Sequence, residues 1–212
     1  MRKQRSINSQ RATPNLTNIN IDFEEYDLAN GMHVILHQDR SLPIVALNLW
    51  YHVGSKNEHE GETGFAHLFE HMMFQGSENI PANMHFHHVQ SAGGSLNAST
   101  SFDRTNYYET LPAHQLELGL WLEADRMRAL AVTEETLENQ RNVVMEERRW
   151  RYDNQPYGTM LMELFARAYK MQPYRWPTIG SMTDIQSATL EQVRSFHAMY
   201  YRPENASLCL SG

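Results

Sequence analysis

Short runs of alternating or β-branched apolar residues predict strands at several places along the chain. IDFEEYDL and MHVILH flank Asn30 and Gly31, the dipeptide most typical of a tight hairpin turn. IVALNLWYHVG alternates over a longer stretch and is rich in β-branched and aromatic residues. SLNASTS and TNYYETL predict a further pair of strands, and NASLCLSG predicts a last strand.

Apolar residues at helical spacing predict helices between these strands. GFAHLFEHMMFQGS forms the first helix, and NIPANMHFHHVQSAGG forms a second that ends at glycines. PAHQLELGLWLEADRMRAL begins with proline at a helix N-terminus, and a long helix covers 133–151. PYGTMLMELFARAYK and TLEQVRSFHAMYY add two more. Strands grouped with helices in this irregular order favour an α+β fold, with a largely antiparallel sheet packed with helices.

The first twenty residues differ from the rest of the chain. They are basic, contain no acidic residue before Asp22, and have few apolar side chains. An organellar leader is the alternative, but such a leader needs an apolar helical face, which Ile7, Leu16 and Ile19 hardly form. We therefore expect residues 1–20 to be a disordered or loosely attached tail, and 21–212 to be one domain without an internal linker.

Composition narrows the possible partners and the compartment. The 212 residues are 41 % hydrophobic and 20 % charged, which is typical of a soluble globular protein. A formal net charge of −7 argues against a nucleic-acid partner. No apolar run approaches the roughly 20 residues of a spanning helix, and no apolar segment typical of a secretory signal follows the basic start. With Cys209 as the lone cysteine, we expect a cytoplasmic protein, or a periplasmic one if a leader has been removed.

GFAHLFEHMMFQGS contains the candidate chemistry. His67 and His71 are four residues apart, so a helix directs both imidazoles to one point, and Glu70 lies beside it. Two imidazoles, one carboxylate and a water form a common catalytic zinc set. Glu70 is placed beside such a set, where it can take a proton from the metal-bound water. The order His-x-x-Glu-His is the inverted zincin motif. The structural alternative is a pair of core histidines with backbone partners and a surface glutamate.

Segments on both sides of this motif closely resemble the inverzincin zinc peptidases, the family of pitrilysin, insulysin and the mitochondrial processing peptidase. Bacterial-type members are the most similar. The other segments that carry the resemblance are SLPIVALNLWYHVGS, AGGSLNASTSFDRTNYYETLP, ENQRNVVMEERR and PYRWPTIGSMTDI. The resemblance implies a processing-peptidase-like metallohydrolase fold, zinc (Zn²⁺) as the cofactor, and endopeptidase activity on extended or unfolded peptides.

The resemblance also implies a third zinc ligand, a glutamate on a later helix. Glu147 lies 76 residues after His71 and matches that position, whereas its neighbour Glu146 is the competitor. Helical spacing groups Glu147 with Gln140 and Val144, which favours it only mildly. The resemblance decides for Glu147. The structural alternative is that both glutamates pair with Arg148 or Arg149 on a solvated helix.

Some family members have a second carboxylate seven residues before this ligand, where the present chain has Gln140. Partners of this kind orient the metal ligands and tune their affinity. We therefore expect either weaker metal binding, with Gln140 beside the ligands, or replacement by another acid. Asp103 and Glu138 are the candidates for that replacement.

The segment GGSLNASTSFDRTNYY supplies the substrate site that the resemblance implies. A strand of this kind lines the cleft and pairs edge-on with an extended peptide substrate. The side chain of Asn97 is expected to orient the scissile amide, and Ala98 and Thr100 are expected to contribute backbone groups. An ordinary strand with a small-residue face is the structural alternative.

His85, His87 and His88 could be read as a second metal site. Their spacing lets at most two of them share a helix face, and no acidic residue lies nearby in the sequence. We therefore predict a solvated helix surface at these positions.

The family builds its chamber from two similar halves, and this chain ends about where the first half ends. The second, C-terminal half is therefore expected to be absent, and a second half-domain, a partner subunit or a homodimer is expected to complete the enzyme. The alternative function is a non-catalytic zinc-binding subunit, or a fragment that needs a partner half. The intact set of His67, Glu70, His71 and Glu147 argues against a non-catalytic role.

Overall fold

One mixed sheet runs through the part of the chain that the computed structural model describes, which is 21–212 and one short strand before it. The strands are β1 (Lys3–Ser6), β2 (Asp22–Asp27), β3 (His33–His37), β4 (Ile44–Tyr51), β5 (Ser95–Thr100), β6 (Thr105–Pro112) and β7 (Ala206–Ser211). Their order across the sheet is β1-β2-β3-β7-β4-β6-β5. Each neighbouring pair is antiparallel except β3 and β7. The predicted α+β fold with a largely antiparallel sheet is confirmed.

Both predicted strand pairs form antiparallel hairpins. Between β2 and β3, Gly31 adopts a φ of +87°, a left-handed conformation that glycine adopts without strain. The side chain of Asn30 accepts a hydrogen bond from the backbone N–H of Met32 at 3.2 Å and fixes the turn. In the hairpin of β5 and β6, Thr100 lies directly opposite Thr105.

Seven α-helices lie within the described residues. They are α1 (Phe65–Met72), α2 (Met84–Ser91), α3 (Leu116–Ala129), α4 (Glu134–Arg148), α5 (Met160–Ala168), α6 (Met182–Ser187) and α7 (Leu190–Tyr200). All predicted helices are present. The helix predicted over 133–151 ends earlier, at Arg148, and continues as a π-helical segment, Arg149–Asp153. The helix predicted to begin at Pro112 is preceded by a 3₁₀ turn, Ala113–Gln115.

The sequence did not predict α6. Its six residues are too few to establish an apolar period. The helix is instead fixed at its start, where the Ser181 hydroxyl accepts a hydrogen bond from the backbone N–H of Asp184 at 3.0 Å.

The core lies on one face of β4. Leu47, Leu49 and Tyr51 alternate along the strand and are fully buried, whereas Ile44 and Trp50 are exposed on the other face. The buried face packs in one apolar cluster with side chains from α1, α4 and α7, including Leu68, Phe69, Met72, Val144, Val193 and Phe196. This packing fixes α1 and α4 on the same side of the sheet.

The predicted tail at 1–20 lies mostly outside the described residues. Only Lys3–Ser6 is described, as an edge strand paired with β2. The division into a tail and a domain over 21–212 therefore stays a prediction. Among the helices of the described residues, none has the length and apolar character needed to cross a membrane.

Candidate metal centre

Helix α1 presents its polar side chains to a cleft because its other side is in the core. Its buried residues are Phe65, Ala66, Leu68, Phe69 and Met72. The remaining positions, His67, Glu70 and His71, line the cleft. The start of the helix is fixed by Glu58, whose buried carboxyl group accepts hydrogen bonds from the backbone N–H groups of Gly64 (2.9 Å) and Ala66 (2.8 Å).

Helix α4 supplies the third candidate ligand. Leu137 and Val144 bury one side of α4, and Glu147 lies near its end. The Glu147 side chain is only 16 % exposed and faces the α1 histidines. The Glu146 side chain is 72 % exposed and forms an ion pair with Arg149 instead. The structure thus brings Glu147, and not Glu146, to His67 and His71.

Three donor atoms converge between the two helices. Oε2 of Glu147 lies 3.2 Å from Nε2 of His71 and 3.7 Å from Nε2 of His67. One ligand atom from each of the three residues lies within 4.8 Å of the others. A tetrahedral zinc ion with bonds of about 2.0–2.1 Å separates its ligand atoms by roughly 3.3 Å. The residues present therefore fit zinc in both chemistry and spacing.

The protonation states also suit metal ligation. Burial, with a smaller contribution from neighbouring His71, lowers the pKa of His67 to about 4, so this imidazole is neutral near pH 7. Burial alone would raise the pKa of Glu147. The hydrogen bond with His71 and the nearby basic side chains of His67, His71 and Arg151 outweigh that effect and lower it. The cluster thus combines a neutral imidazole with an ionised carboxylate, the forms that bind metal.

Glu70 lies beside the cluster and has its own partner. The hydroxyl of Thr100 donates a hydrogen bond to Oε2 of Glu70 at 2.5 Å. Burial raises the pKa of Glu70, and the Thr100 hydrogen bond opposes that rise. A carboxylate with a raised pKa is a stronger proton acceptor, as a general base requires.

The cleft has a volume of about 740 Å³ and is bounded by α1, α2, α4 and the edge strand β5. Asn97, Ala98 and Thr100, the predicted substrate-binding residues, all line it. The Asn97 side-chain oxygen accepts a hydrogen bond from the Ala98 N–H at 2.9 Å, so each of these two groups already has a hydrogen-bond partner. Gln140 also lines the cleft and is buried.

Asp103, the predicted replacement acid, does not reach the cluster. Its carboxylate lies at the β5–β6 turn, where it accepts a hydrogen bond from the Tyr174 hydroxyl at 2.6 Å and pairs with Lys56 at 3.0 Å. Glu138 is likewise committed elsewhere, to an ion pair with Arg141. The partners of Asp103 are distant in sequence, and the side chain of Glu138 is 61 % exposed, so both expectations need correction.

Arg151 pairs with the candidate ligand Glu147, a contact that the sequence reasoning missed. Its Nη1 lies 2.9 Å from Oε1 of Glu147, the oxygen that does not face the histidines. The two residues are four apart, a spacing at which helical side chains meet, so the signal was present in the sequence.

The predicted solvated surface at the three histidines is wrong for His85. This side chain is 4 % exposed, and its Nε2 lies 2.7 Å from Oε1 of Glu109. Glu123 completes a buried group of three possible metal ligands. Arg126 already supplies a cation there, since its Nε donates to Oε2 of Glu123 at 2.8 Å and its Nη2 donates to Oε1. We therefore interpret the group as a buried ion cluster that joins β6 to α2 and α3. The sequence did not reveal it because its members are distant from one another along the chain.

Comparison with protein families identifies residues 33–181 as a match to the insulinase family model, peptidase family M16. The chain is 39 % identical over 190 residues to the zinc protease PqqE of Helicobacter pylori, which covers 89 % of this chain and 43 % of that protein. These matches confirm the predicted resemblance to insulysin-type peptidases.

Solved structures agree on the fold. A protease from Helicobacter pylori superimposes with a TM-score of 0.86 at 39 % identity, covering 90 % of this chain and 46 % of that one. An M16 peptidase domain from Pseudomonas fluorescens, described as inactive, superimposes with a TM-score of 0.82 at 22 % identity, over 90 % of this chain and 46 % of that one. The second likeness shows the fold alone. The chain thus spans less than half the length of these relatives.

Proposed function

The chain belongs to the insulinase family of peptidases, and from that membership we propose that it is the catalytic half of a zinc-dependent endopeptidase. Its substrates are extended or unfolded peptides. The observation that carries this proposal is the convergence of His67 Nε2, His71 Nε2 and Glu147 Oε2 next to Glu70. All four side chains open onto one cleft.

His67, His71 and Glu147 would hold the metal through these three atoms. Three protein ligands leave one position of a tetrahedral site open, which is typical of catalytic rather than structural zinc. Bound zinc supplies Lewis acidity, which polarises the scissile carbonyl and makes a water molecule more acidic.

Glu70 moves the proton. As a base, it accepts a proton from the attacking water, and as an acid, it returns that proton to the nitrogen of the leaving amine. Burial favours both steps because it raises the pKa of the carboxyl group toward the working range. The Thr100 hydroxyl keeps Oε2 in place during the transfer.

The edge strand β5 provides the substrate surface. It ends the described sheet on the cleft side, so an extended peptide can pair with its outer edge through main-chain hydrogen bonds. Such pairing recognises neither terminus of the substrate, which supports cleavage within a chain. Asn97 projects beside this edge and, after releasing the Ala98 N–H, is available to the scissile amide.

A second half completes the enzyme in this proposal. The match covers 43 % of the length of the Helicobacter pylori relative, so more than half of that relative lies outside it. That second half-domain, supplied by a partner subunit, by a longer form of this chain or by a homodimer, closes the cleft and stabilises the developing oxyanion.

Zinc stoichiometry and cleavage of a quenched fluorescent peptide library test the proposal. The wild type is compared with Glu70→Gln and with Glu146→Gln, an exposed glutamate that serves as the matched control, and the solution mass is measured for each. We expect one zinc per chain in all three proteins and, in the assembly completed by the second half, hydrolysis lost only in Glu70→Gln. Hydrolysis that begins only when the second half is added indicates a fragment that needs its partner half, whereas zinc without hydrolysis in the completed assembly indicates a non-catalytic subunit. Absence of zinc contradicts the proposal.

A further inference from the structure

A short segment at 178–181, which we name the strap, touches the beginning of α1. Gly180 in the strap and Gly64 at the start of α1 meet backbone to backbone. A Cβ on Gly64 would lie 2.7 Å from the carbonyl oxygen of Ile179 and 2.8 Å from the Cα of Gly180. A Cβ on Gly180 would collide with the carbonyl oxygen of Thr63 and the Cα of Gly64. Only glycine allows the strap to approach this closely.

Hydrogen bonds hold the strap against the residue before that contact. The Oγ1 of Thr63 accepts a hydrogen bond from the N–H of Ser181 at 3.0 Å. Asp184, in the first turn of α6, accepts from the Thr63 N–H at 3.0 Å and from the Thr63 hydroxyl at 2.5 Å. The strap and the residues leading into α1 thus form one hydrogen-bonded unit.

Gly180 in the strap also contacts the end of α4. The guanidinium of Arg148 donates through Nη1 to the carbonyl oxygen of Gly180. Arg148 is the last residue of α4 and directly follows Glu147, and its side chain is mostly buried. Gly180 therefore connects the helix of the two histidines with the helix of the glutamate.

We propose that the strap positions the metal ligands, with Gly180 and Arg148 as its positioning residues. This inference rests on the proposed function, because it assumes that His67, His71 and Glu147 bind zinc. His67 lies three residues after the glycine contact, and Glu147 lies immediately before the arginine contact. Metal–ligand distances tolerate only about 0.2 Å, so a small separation of the two helices weakens binding.

Substitution of Gly180 by alanine tests the backbone contact. Gly180 has a φ of +77°, and Gly61 provides a matched control with a φ of +88° and no atom within 4 Å of an added Cβ. Both substitutions impose the same kind of backbone strain, but only Gly180→Ala pushes the strap away from α1. We expect Gly180→Ala to bind zinc about tenfold more weakly or worse, the range typical of lost outer partners, and Gly61→Ala to bind like the wild type.

Substitution of Arg148 tests the other contact and remains informative if Gly180→Ala does not fold. Arg148→Met removes the donor to Gly180, whereas Arg149→Met removes a neighbouring arginine that pairs with exposed Glu146. We expect zinc binding to weaken several-fold in Arg148→Met, to recover partly in Arg148→Lys, and to stay unchanged in Arg149→Met.

The readout is the zinc dissociation constant, measured by competition with a chelator on protein whose folded state is checked by circular dichroism. Unfolding of the metal-free proteins is measured in parallel. Wild-type zinc affinity in both Gly180→Ala and Arg148→Met would overturn the inference, even if both variants unfold more readily. A wild type that binds no zinc would instead overturn the proposed function, and the inference with it.

Discussion

The hydroxyl of Thr100 lies 2.5 Å from Oε2 of Glu70 and donates a hydrogen bond to it. Thr105, the residue opposite Thr100 across the hairpin, donates its own hydroxyl to the carbonyl oxygen of Val53 at 2.9 Å. Its Oγ1 lies 3.4 Å from that of Thr100. The strand that we propose binds the substrate therefore also contacts the proposed general base.

We expect Thr100→Val to lower kcat about tenfold while leaving zinc content and KM nearly unchanged. A hydrogen bond to a charged group contributes about 1.5–3 kcal/mol. The part of this free energy that orients Glu70 for proton transfer corresponds to roughly one order of magnitude in rate. Thr100→Ser keeps the hydroxyl and should retain most of the activity. Steady-state kinetics on the active assembly measures both variants, and equal loss in Val and Ser would contradict a role for the hydroxyl.

Glu147→Gln should weaken zinc binding by more than the roughly 100-fold that loss of an outer partner can cost, because it replaces an ionised ligand with a neutral amide. Glu146→Gln, one residue earlier on the same helix, should bind zinc like the wild type, since Glu146 faces Arg149. Chelator competition measures both affinities. Strong loss of zinc affinity in Glu146→Gln, or normal affinity in Glu147→Gln, would show that Glu147 is not the third ligand.

The sequence predicted what local spacing determines. His67, Glu70 and His71 share one helix, so their convergence follows from helical geometry. Glu147 needed the family resemblance, because helical spacing separates it only weakly from Glu146 and its two histidine partners lie 76 and 80 residues away. The fold class also followed from local patterns, since hairpin turns and helical periods are short-range features.

Contacts between distant segments could not be predicted in this way. Thr100 reaches Glu70 across 30 residues, and Arg148 reaches Gly180 across 32. His85 was assigned to solvent because its acidic partner lies 24 residues away, on β6. Burial of a polar side chain depends on such partners, which no period in the sequence reveals.

Arg126→Met should destabilise the protein by about 3–5 kcal/mol, because it leaves carboxylates buried without their cation. Arg126 is 2 % exposed and pairs with Glu123, and burial raises the pKa of both Glu123 and Glu109 nearby. Arg128→Met is the control, since that side chain is 63 % exposed in its ion pair with Glu78 and lies 3.7 Å from Asp125, which keeps other hydrogen-bond donors, so its loss should cost less than about 1 kcal/mol. Urea unfolding measures both, and equal stability of the two variants would contradict the assignment.

Glu58 makes stability depend on pH in a defined direction. Its carboxyl group is 3 % exposed, and burial raises its pKa to about 8, against the opposing effect of the Ala66 and Gly64 hydrogen bonds. In the unfolded chain the pKa is near the ordinary value of 4.5 for a glutamate. The folded state therefore binds this proton more tightly, so the stabilisation is fully present below about pH 4.5 and is lost as pH rises through about 8.

Glu58→Gln cannot titrate and isolates this effect. Burial lowers the pKa of His67 to about 4 and that of His85 to about 3, and these groups change stability in the opposite direction, so the raw pH profile combines both signs. The histidines cancel in the difference between wild type and variant. We expect the unfolding free energy of the metal-free wild type, relative to Glu58→Gln, to fall between about pH 5 and 8 by at most about 1.4 kcal/mol per pH unit. Urea unfolding at several pH values measures this difference, and a difference that is constant or rises with pH would show that Glu58 stays ionised at the start of α1.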